Sequence, residues 1–200
     1  RESGLSAIAT AICGFTPEYG LLFDENRIPN LKVTVDCELN EPVDYSILGD
    51  WIGKQIQPKW KIEYGPIPLI FGIKSLNSEC RKALTAAAAN YGSPMLFVDG
   101  FTENPTNMKL NAELIFTKSD LEKRYSELAP KETVDLITIG CPQASYEEVE
   151  RTAELLNGKH MPKGRLWLFT SSDNFDKAKQ KGYIKIVENA GGLVLRETCP

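Results

Sequence analysis

Leu31-Lys32-Val33-Thr34-Val35 alternates apolar and polar residues, the mark of a strand with one wet face. Ahead of it, Ser3 to Ala11 reads as a helix-like run closed by Gly14 and Thr16-Pro17. A turn-rich loop containing Asp24, Glu25, Asn26, Arg27 and Pro29 joins the two. The pattern predicts a second helix over Pro42 to Ile56, with Asp44 near its start. Three prolines, one glycine and Trp60 make 57–68 an irregular connection and a candidate sub-domain boundary. A helix over Leu76 to Tyr91, ended by Gly92, then leads to a strand over Met95-Leu96-Phe97-Val98. Asp99 to Leu110, rich in Asn, Pro and Gly, reads as loop.

The last third has the clearest pattern. Val134 to Ile139 is a short apolar strand ended by Gly140. Ser145 and Glu148 have the spacing of a capping box, and Val149, Ala153 and Leu156 form one apolar stripe behind it. Asn157-Gly158 stops that helix. Leu166-Trp167-Leu168-Phe169 is the next strand, nearly all apolar. Helices over Asn174 to Lys181 and Tyr183 to Ala190 follow, the second capped by Gly191-Gly192 before a strand at Leu193-Val194-Leu195. Strands alternating with helical crossovers predict an α/β fold of parallel-sheet βαβ layers with helices on both faces. The expected division is an N-terminal α/β part over 1–130 and a C-terminal βαβαβ unit over 131–200.

Composition narrows the function. Two hundred residues with 42% apolar content supply one large or two small cores. A net charge of −4, with Lys and Arg scattered among acidic residues, argues against a nucleic-acid surface. No apolar stretch approaches the ~20 residues that span a bilayer. The Ala-rich stretch from Leu84 to Ala89 reads as a small-residue helix packed closely inside a protein. The chain opens on Arg1 and stops at Thr198-Cys199-Pro200 straight after a strand, so it is expected to be a fragment of a longer protein. Five cysteines, an odd number without a CxxC pair, do not resemble a secreted disulfide framework, and a reducing cytoplasm is the expected setting.

In open parallel sheets, ligands collect beyond the carboxyl ends of the strands. Cys141, in Gly140-Cys141-Pro142, follows the first C-terminal strand, and Cys199, in Thr198-Cys199-Pro200, follows the third. Two thiols at equivalent strand ends can converge on one site, and thiolates are the preferred ligands of iron–sulfur clusters. Their separation matches no short ligand motif, and burial as ordinary apolar thiols is the alternative. Cys13, Cys37 and Cys80 are expected simply to pack. His160, the only histidine, sits in a Gly-Lys-His-Met-Pro loop and is expected at the surface. A hydrolase triad or a multi-histidine zinc site is therefore discounted. Thr170-Ser171-Ser172 suits either an anion-binding turn or helix capping by Ser172 or Asp173. Gly20 to Arg27 could approach a substrate, although a hydrogen-bonded turn explains it as well. There is no GxGxxG and no Walker A pattern.

Several segments, taken together and in order, resemble the aconitase X family. They are Arg1-Glu2-Ser3-Gly4, Thr16-Pro17-Glu18-Tyr19-Gly20, Asp24-Glu25-Asn26-Arg27, Asp135-Leu136-Ile137 with Gly140-Cys141-Pro142, and Gly182-Tyr183 through Ala190-Gly191-Gly192 to Thr198-Cys199. The resemblance implies an aconitase-like fold, with this chain part of the larger catalytic subunit of a cytoplasmic hydro-lyase. It also implies a small swivelling subunit or domain as partner and a small-molecule hydroxy-acid substrate. Archaeal members, to which the Lys- and Glu-rich helices incline this chain, convert (R)-5-phosphomevalonate to trans-anhydromevalonate 5-phosphate in the modified mevalonate pathway. Bacterial relatives dehydrate cis-3-hydroxy-L-proline. The implied cofactor is an iron–sulfur cluster of 4Fe-4S type, with Cys141 and Cys199 as two ligands and a third before Arg1. Its open iron would act as a Lewis acid on the substrate hydroxyl, and the base would be a serine on the swivelling part. Gln143 stands where relatives often carry histidine. A reading from another class remains beside these: a cluster-free α/β binding or scaffold domain.

Overall fold

A computed structural model describes residues 4–56, 66–90, 92–93, 95–103, 108–130 and 132–198. The chain divides into two units, Arg1–Leu128 and Ala129–Pro200, each built on its own parallel sheet. The α/β architecture expected from the alternation of strands and helices is present.

The first unit begins with α1 (Gly4–Cys13), two short 3-10 turns, β1 (Leu31–Asp36), α2 (Pro42–Ile56) and β2 (Pro68–Phe71). It continues through α3 (Ser78–Asn90), β3 (Phe97–Val98), β4 (Ala112–Thr117) and α4 (Lys118–Leu128). The sheet order is β3-β2-β1-β4, so β1 has β2 on one side and β4 on the other. Leu31, Val33 and Val35 alternate inward as the sequence predicts, meeting Leu48 and Ile52 of α2, Leu84 of α3 and Phe116 of β4. Fully burying each such side chain contributes about 1.5–3 kcal/mol. The Ala-rich helix is closely packed: a Cβ on Gly49 would lie 2.5 Å from the Leu84 carbonyl oxygen and 2.9 Å from the Ala87 Cβ.

Three features of the first unit differ from the sequence expectation. Strand β2 begins at Pro68, inside the predicted irregular connection, of which 57–65 lie outside the described residues. The β4–α4 pair was not predicted. Its signal is a Thr-x-x-Asp cap, in which the Thr117 amide donates to Asp120 Oδ2 at 2.9 Å and the Asp120 amide to Thr117 Oγ1 at 3.3 Å. The third concerns α1, which forms over nearly the expected residues but buries none of them. Cys13 at its end is exposed rather than packed, because no described residue covers the helix's apolar side. Of the other thiols expected to pack, Cys80 is buried and Cys37 half-buried.

The second unit runs β5 (Ile137–Ala144), α5 (Tyr146–Leu156), β6 (Leu166–Thr170), α6 (Ser172–Gln180), α7 (Tyr183–Asn189) and β7 (Leu193–Arg196), with sheet order β5-β6-β7. The Ser145–Glu148 capping box is formed in both directions, and Val149 and Ala153 are fully buried. Both crossovers step the same way across the sheet. The three helices therefore share a face, with Val149, Ala178 and Ile184 gathered over Leu168 and Ala144. Trp167 and Phe169 alternate to the opposite face.

The largest departure is in β5. Val134 and Leu136, expected to open the strand, are exposed, since pairing with β6 starts only at Ile137 opposite Leu166. Gly140 does not end the strand. The register shifts between Ile139 and Ala144, and pairing resumes at Ala144 opposite Thr170, so the intervening residues form an irregular, bulged stretch.

Candidate functional site

Each sheet presents a rim at the carboxyl ends of its strands. In the first unit that rim lies past β1, β2 and β4, and β1 is the switch point of the strand order, where a crevice opens in such sheets. A cleft of about 490 Å³ occurs there, lined by Asp36, Cys37, Glu38, Asp44, Lys118 and Tyr125 among others. A smaller hollow of about 180 Å³ shares Cys37, Glu38 and Asn40 and extends to Gly72 and Lys74.

Asp44 anchors this rim. Its Oδ2 accepts from the amides of Asn40 (2.8 Å) and Glu41 (2.9 Å), and its Oδ1 from the Tyr125 hydroxyl (2.6 Å). Burial opposes the charge of this carboxylate, but these hydrogen bonds outweigh it and hold the pKa below the ordinary aspartate value. Burial, then the bond to Asp44, pushes the Tyr125 phenol up to about 12. Burial also raises the Cys37 thiol, helped by the charge of Asp44. A group with three partners around a helix start is a cap. Asp36, Glu38, Asp44 and Glu122 line the cleft against Lys118, so the cleft by itself attracts cationic rather than phosphate groups.

The second rim is built differently. Gly140 has φ of 140°, and a Cβ there would lie 2.5 Å from the Phe169 Cβ and 2.8 Å from the Phe169 carbonyl oxygen. Only glycine allows this approach, and the chain leaving it enters the bulge that carries Cys141. Cys141 is exposed, and its peptide to Pro142 is cis. Behind it, the buried Thr170 hydroxyl donates to the Ala144 carbonyl at 2.7 Å, fixing the point where β5 rejoins β6. Across the rim, Gln143 Nε2 donates to the Thr198 carbonyl at 2.9 Å. The stretch after Cys141 and the stretch before Cys199 are thereby joined. Cys199 itself lies outside the described residues.

The other sequence candidates resolve simply. His160 is exposed in the α5–β6 connection, at the end of the sheet opposite Cys141. The turn at 170–172 is a helix cap. The capping residue is Ser171, not Ser172 or Asp173, because α6 already begins at Ser172. The Glu197 carboxylate takes the Ser172 amide at 2.5 Å, so a side chain already fills the anion's place at this helix start. Gly20 to Arg27 is a self-contained turn: Arg27 Nε donates to the Leu21 carbonyl and Asn26 Nδ2 to the Gly20 carbonyl. Sequence reasoning missed Gln143 as a tether and Tyr125 as the partner of Asp44. The position of Gln143 two residues past Cys141 was visible, but the partner that gives it meaning is 55 residues away.

A thiol that is exposed on a glycine-permitted bulge suits a soft-metal ligand, which must be reached without prior unpacking. No three His, Cys, Asp or Glu side chains among the described residues converge to hold a metal ion. This rim therefore supplies one accessible thiol and the approach to a second.

Comparison with known proteins adds the family. Residues 29–126 match the model of the aconitase X second domain, and 134–200 that of the third domain. The chain belongs to the aconitase X family. Over its whole length it is 36% identical to a phosphomevalonate dehydratase large subunit from Methanothermobacter thermautotrophicus, covering 49% of that protein. A protein of the same name from Methanosarcina mazei is 37% identical over the whole chain and 48% of its own length. A cis-3-hydroxy-L-proline dehydratase from Hypocrea jecorina is 28% identical over 96% of the chain and 34% of that protein. The holo-form of aconitase X from Thermococcus kodakaraensis superposes with a TM-score of 0.83 at 34% identity, over all of this chain and 51% of that one. The aconitase X chain described here thus spans about half the length of the curated relatives it matches.

Proposed function

We propose that this chain is part of the large subunit of an aconitase X hydro-lyase that dehydrates (R)-5-phosphomevalonate to trans-anhydromevalonate 5-phosphate. The observation that carries the substrate is the higher identity to phosphomevalonate dehydratase large subunits, 36% and 37%, than to the hydroxyproline enzyme at 28%. The relatives' designation as large subunits supports a small subunit as the partner.

In this reading Cys141 and Cys199 are two ligands of an iron–sulfur cluster, and the third lies outside this chain. The exposure of Cys141 and the Gln143–Thr198 bond, which draws the approach to Cys199 towards it, support the pairing. A bound cluster supplies a Lewis acid for the departing hydroxyl. The residues of this chain hold and orient. Gly140 lets β5 bulge, Thr170 pins the return of the bulge at Ala144, and Glu197 caps α6. No described residue is assigned as the proton acceptor, which belongs to the proposed partner.

Steady-state assays of the complete protein, assembled with its small subunit under anaerobic conditions, test the substrate. Turnover of 5-phosphomevalonate, with at least a hundredfold lower kcat/KM for cis-3-hydroxy-L-proline, is the expected result. The reverse preference contradicts the proposal, and absence of turnover of both favours a binding or scaffold role.

A further inference from the structure

The stretch that leads into Cys199 is fastened at three points within two residues. The Glu197 amide donates to the Thr170 carbonyl at 3.2 Å, continuing the pairing of β7 with β6 by one residue. The Glu197 carboxylate accepts from the Ser172 amide at the start of α6. The Thr198 carbonyl accepts from Gln143. Glu197 also has φ of 51°, a left-handed conformation that a glutamate adopts only where its surroundings hold it. The Thr198 carbonyl belongs to the peptide that carries the Cys199 amide. Its donor, Gln143, stands two residues after Cys141 on the bulge.

We infer that Gln143 and Glu197 are positioning residues that hold the stretch leading into Cys199 against the bulge that carries Cys141 before any metal arrives. Gln143 joins the two thiol-bearing stretches directly. Glu197 turns the chain out of β7 and clamps the turn to α6. Holding both stretches in advance removes conformational freedom that cluster assembly would otherwise have to remove. Partners of this kind, one step removed from the metal, typically change its retention by about 10–100-fold.

This inference rests on the cluster reading above, and the test separates the two. The complete protein is reconstituted anaerobically with iron and sulfide, and iron release to a chelator is followed by absorbance and electron paramagnetic resonance. Gln143→Glu keeps the shape but removes the donor, and it should release iron about tenfold faster at an unchanged Tm. Gln143→His, which restores a ring N–H donor, should recover most of the difference. Glu197→Gly accepts the left-handed turn without strain while losing the clamp, and should also release iron faster. Wild-type protein that takes up no iron overturns the cluster reading and this inference with it. A cluster retained equally by wild type, Gln143→Glu and Glu197→Gly overturns the positioning role alone, as does faster release that merely follows a lowered Tm.

Discussion

The strands of residues 1–128 and those of residues 129–200 both run parallel, and both leave polar residues at their carboxyl ends. In the first unit Cys37 is half-buried and Cys80 buried, while Asp44 spends its acceptors on Asn40, Glu41 and Tyr125. In the second, Cys141 is exposed on a bulge, and the neighbouring hydrogen bonds run along the rim from Gln143 to Thr198 and from Ser172 to Glu197. One architecture thus yields a rim whose thiols pack and a rim that presents one. The deciding element is small. Gly140 sits too close to Phe169 for any side chain, and Cys141 follows it, exposed, on the bulge.

The strongest way to break this contrast is Gly140→Val. The added side chain meets Phe169 and the backbone conformation becomes strained, which should cost the second unit about 3–5 kcal/mol. Denaturant unfolding followed through Trp167, on the sheet beside Phe169, reads the loss. A cost below about 1 kcal/mol would mean the bulge does not depend on glycine.

Asp44→Ala addresses the other rim. It leaves two amides and a phenol without their acceptor and should cost about 2–3 kcal/mol. The pH dependence follows from the lowered pKa of the folded carboxylate. Its contribution is complete above the unfolded value, near 4, and is lost as pH falls through the still lower folded value. The stability gap between wild type and Asp44→Ala should therefore be flat from about pH 5 to 7 and shrink on acidification below about pH 4. A gap that shrinks as pH rises contradicts the cap.

Thiol labelling sharpens the comparison without a stability change. In the native chain Cys141 should react with iodoacetamide at least about tenfold faster than buried Cys80, with Cys37 between them. Mass spectrometry of the alkylated peptides gives the order, and equal rates for Cys80 and Cys141 would remove the distinction between the rims. The smallest effect belongs to α1. Leu5→Asp and Ile12→Asp, at residues 84% and 80% exposed, should shift the stability of this chain by no more than about 0.5 kcal/mol.

Much of the second unit was legible because its signals are local. The Ser145–Glu148 box, the Val149–Ala153 stripe and the apolar run at Leu166 each act within a few residues. The β4–α4 pair was missed because Ile115, apolar on the exposed side of the strand, blurs the alternation, and only the Thr117–Asp120 cap betrays the helix. Cys141 was found from its place after an apolar strand. The bulge that exposes it was not, since a glycine before a cysteine reads equally well as a strand end. The clash that explains Gly140 comes from Phe169, and the tether at Gln143 comes from Thr198. Both depend on strand pairing that no local pattern contains.

We propose that Cys141 and Cys199 hold one iron–sulfur cluster. Anaerobic iron and sulfide analysis of the complete protein, with each cysteine changed in turn to serine, tests it most directly. Loss of most bound iron and sulfide in both Cys141→Ser and Cys199→Ser, but not in Cys80→Ser, is the predicted result. Full iron and sulfide in both rim variants would contradict it.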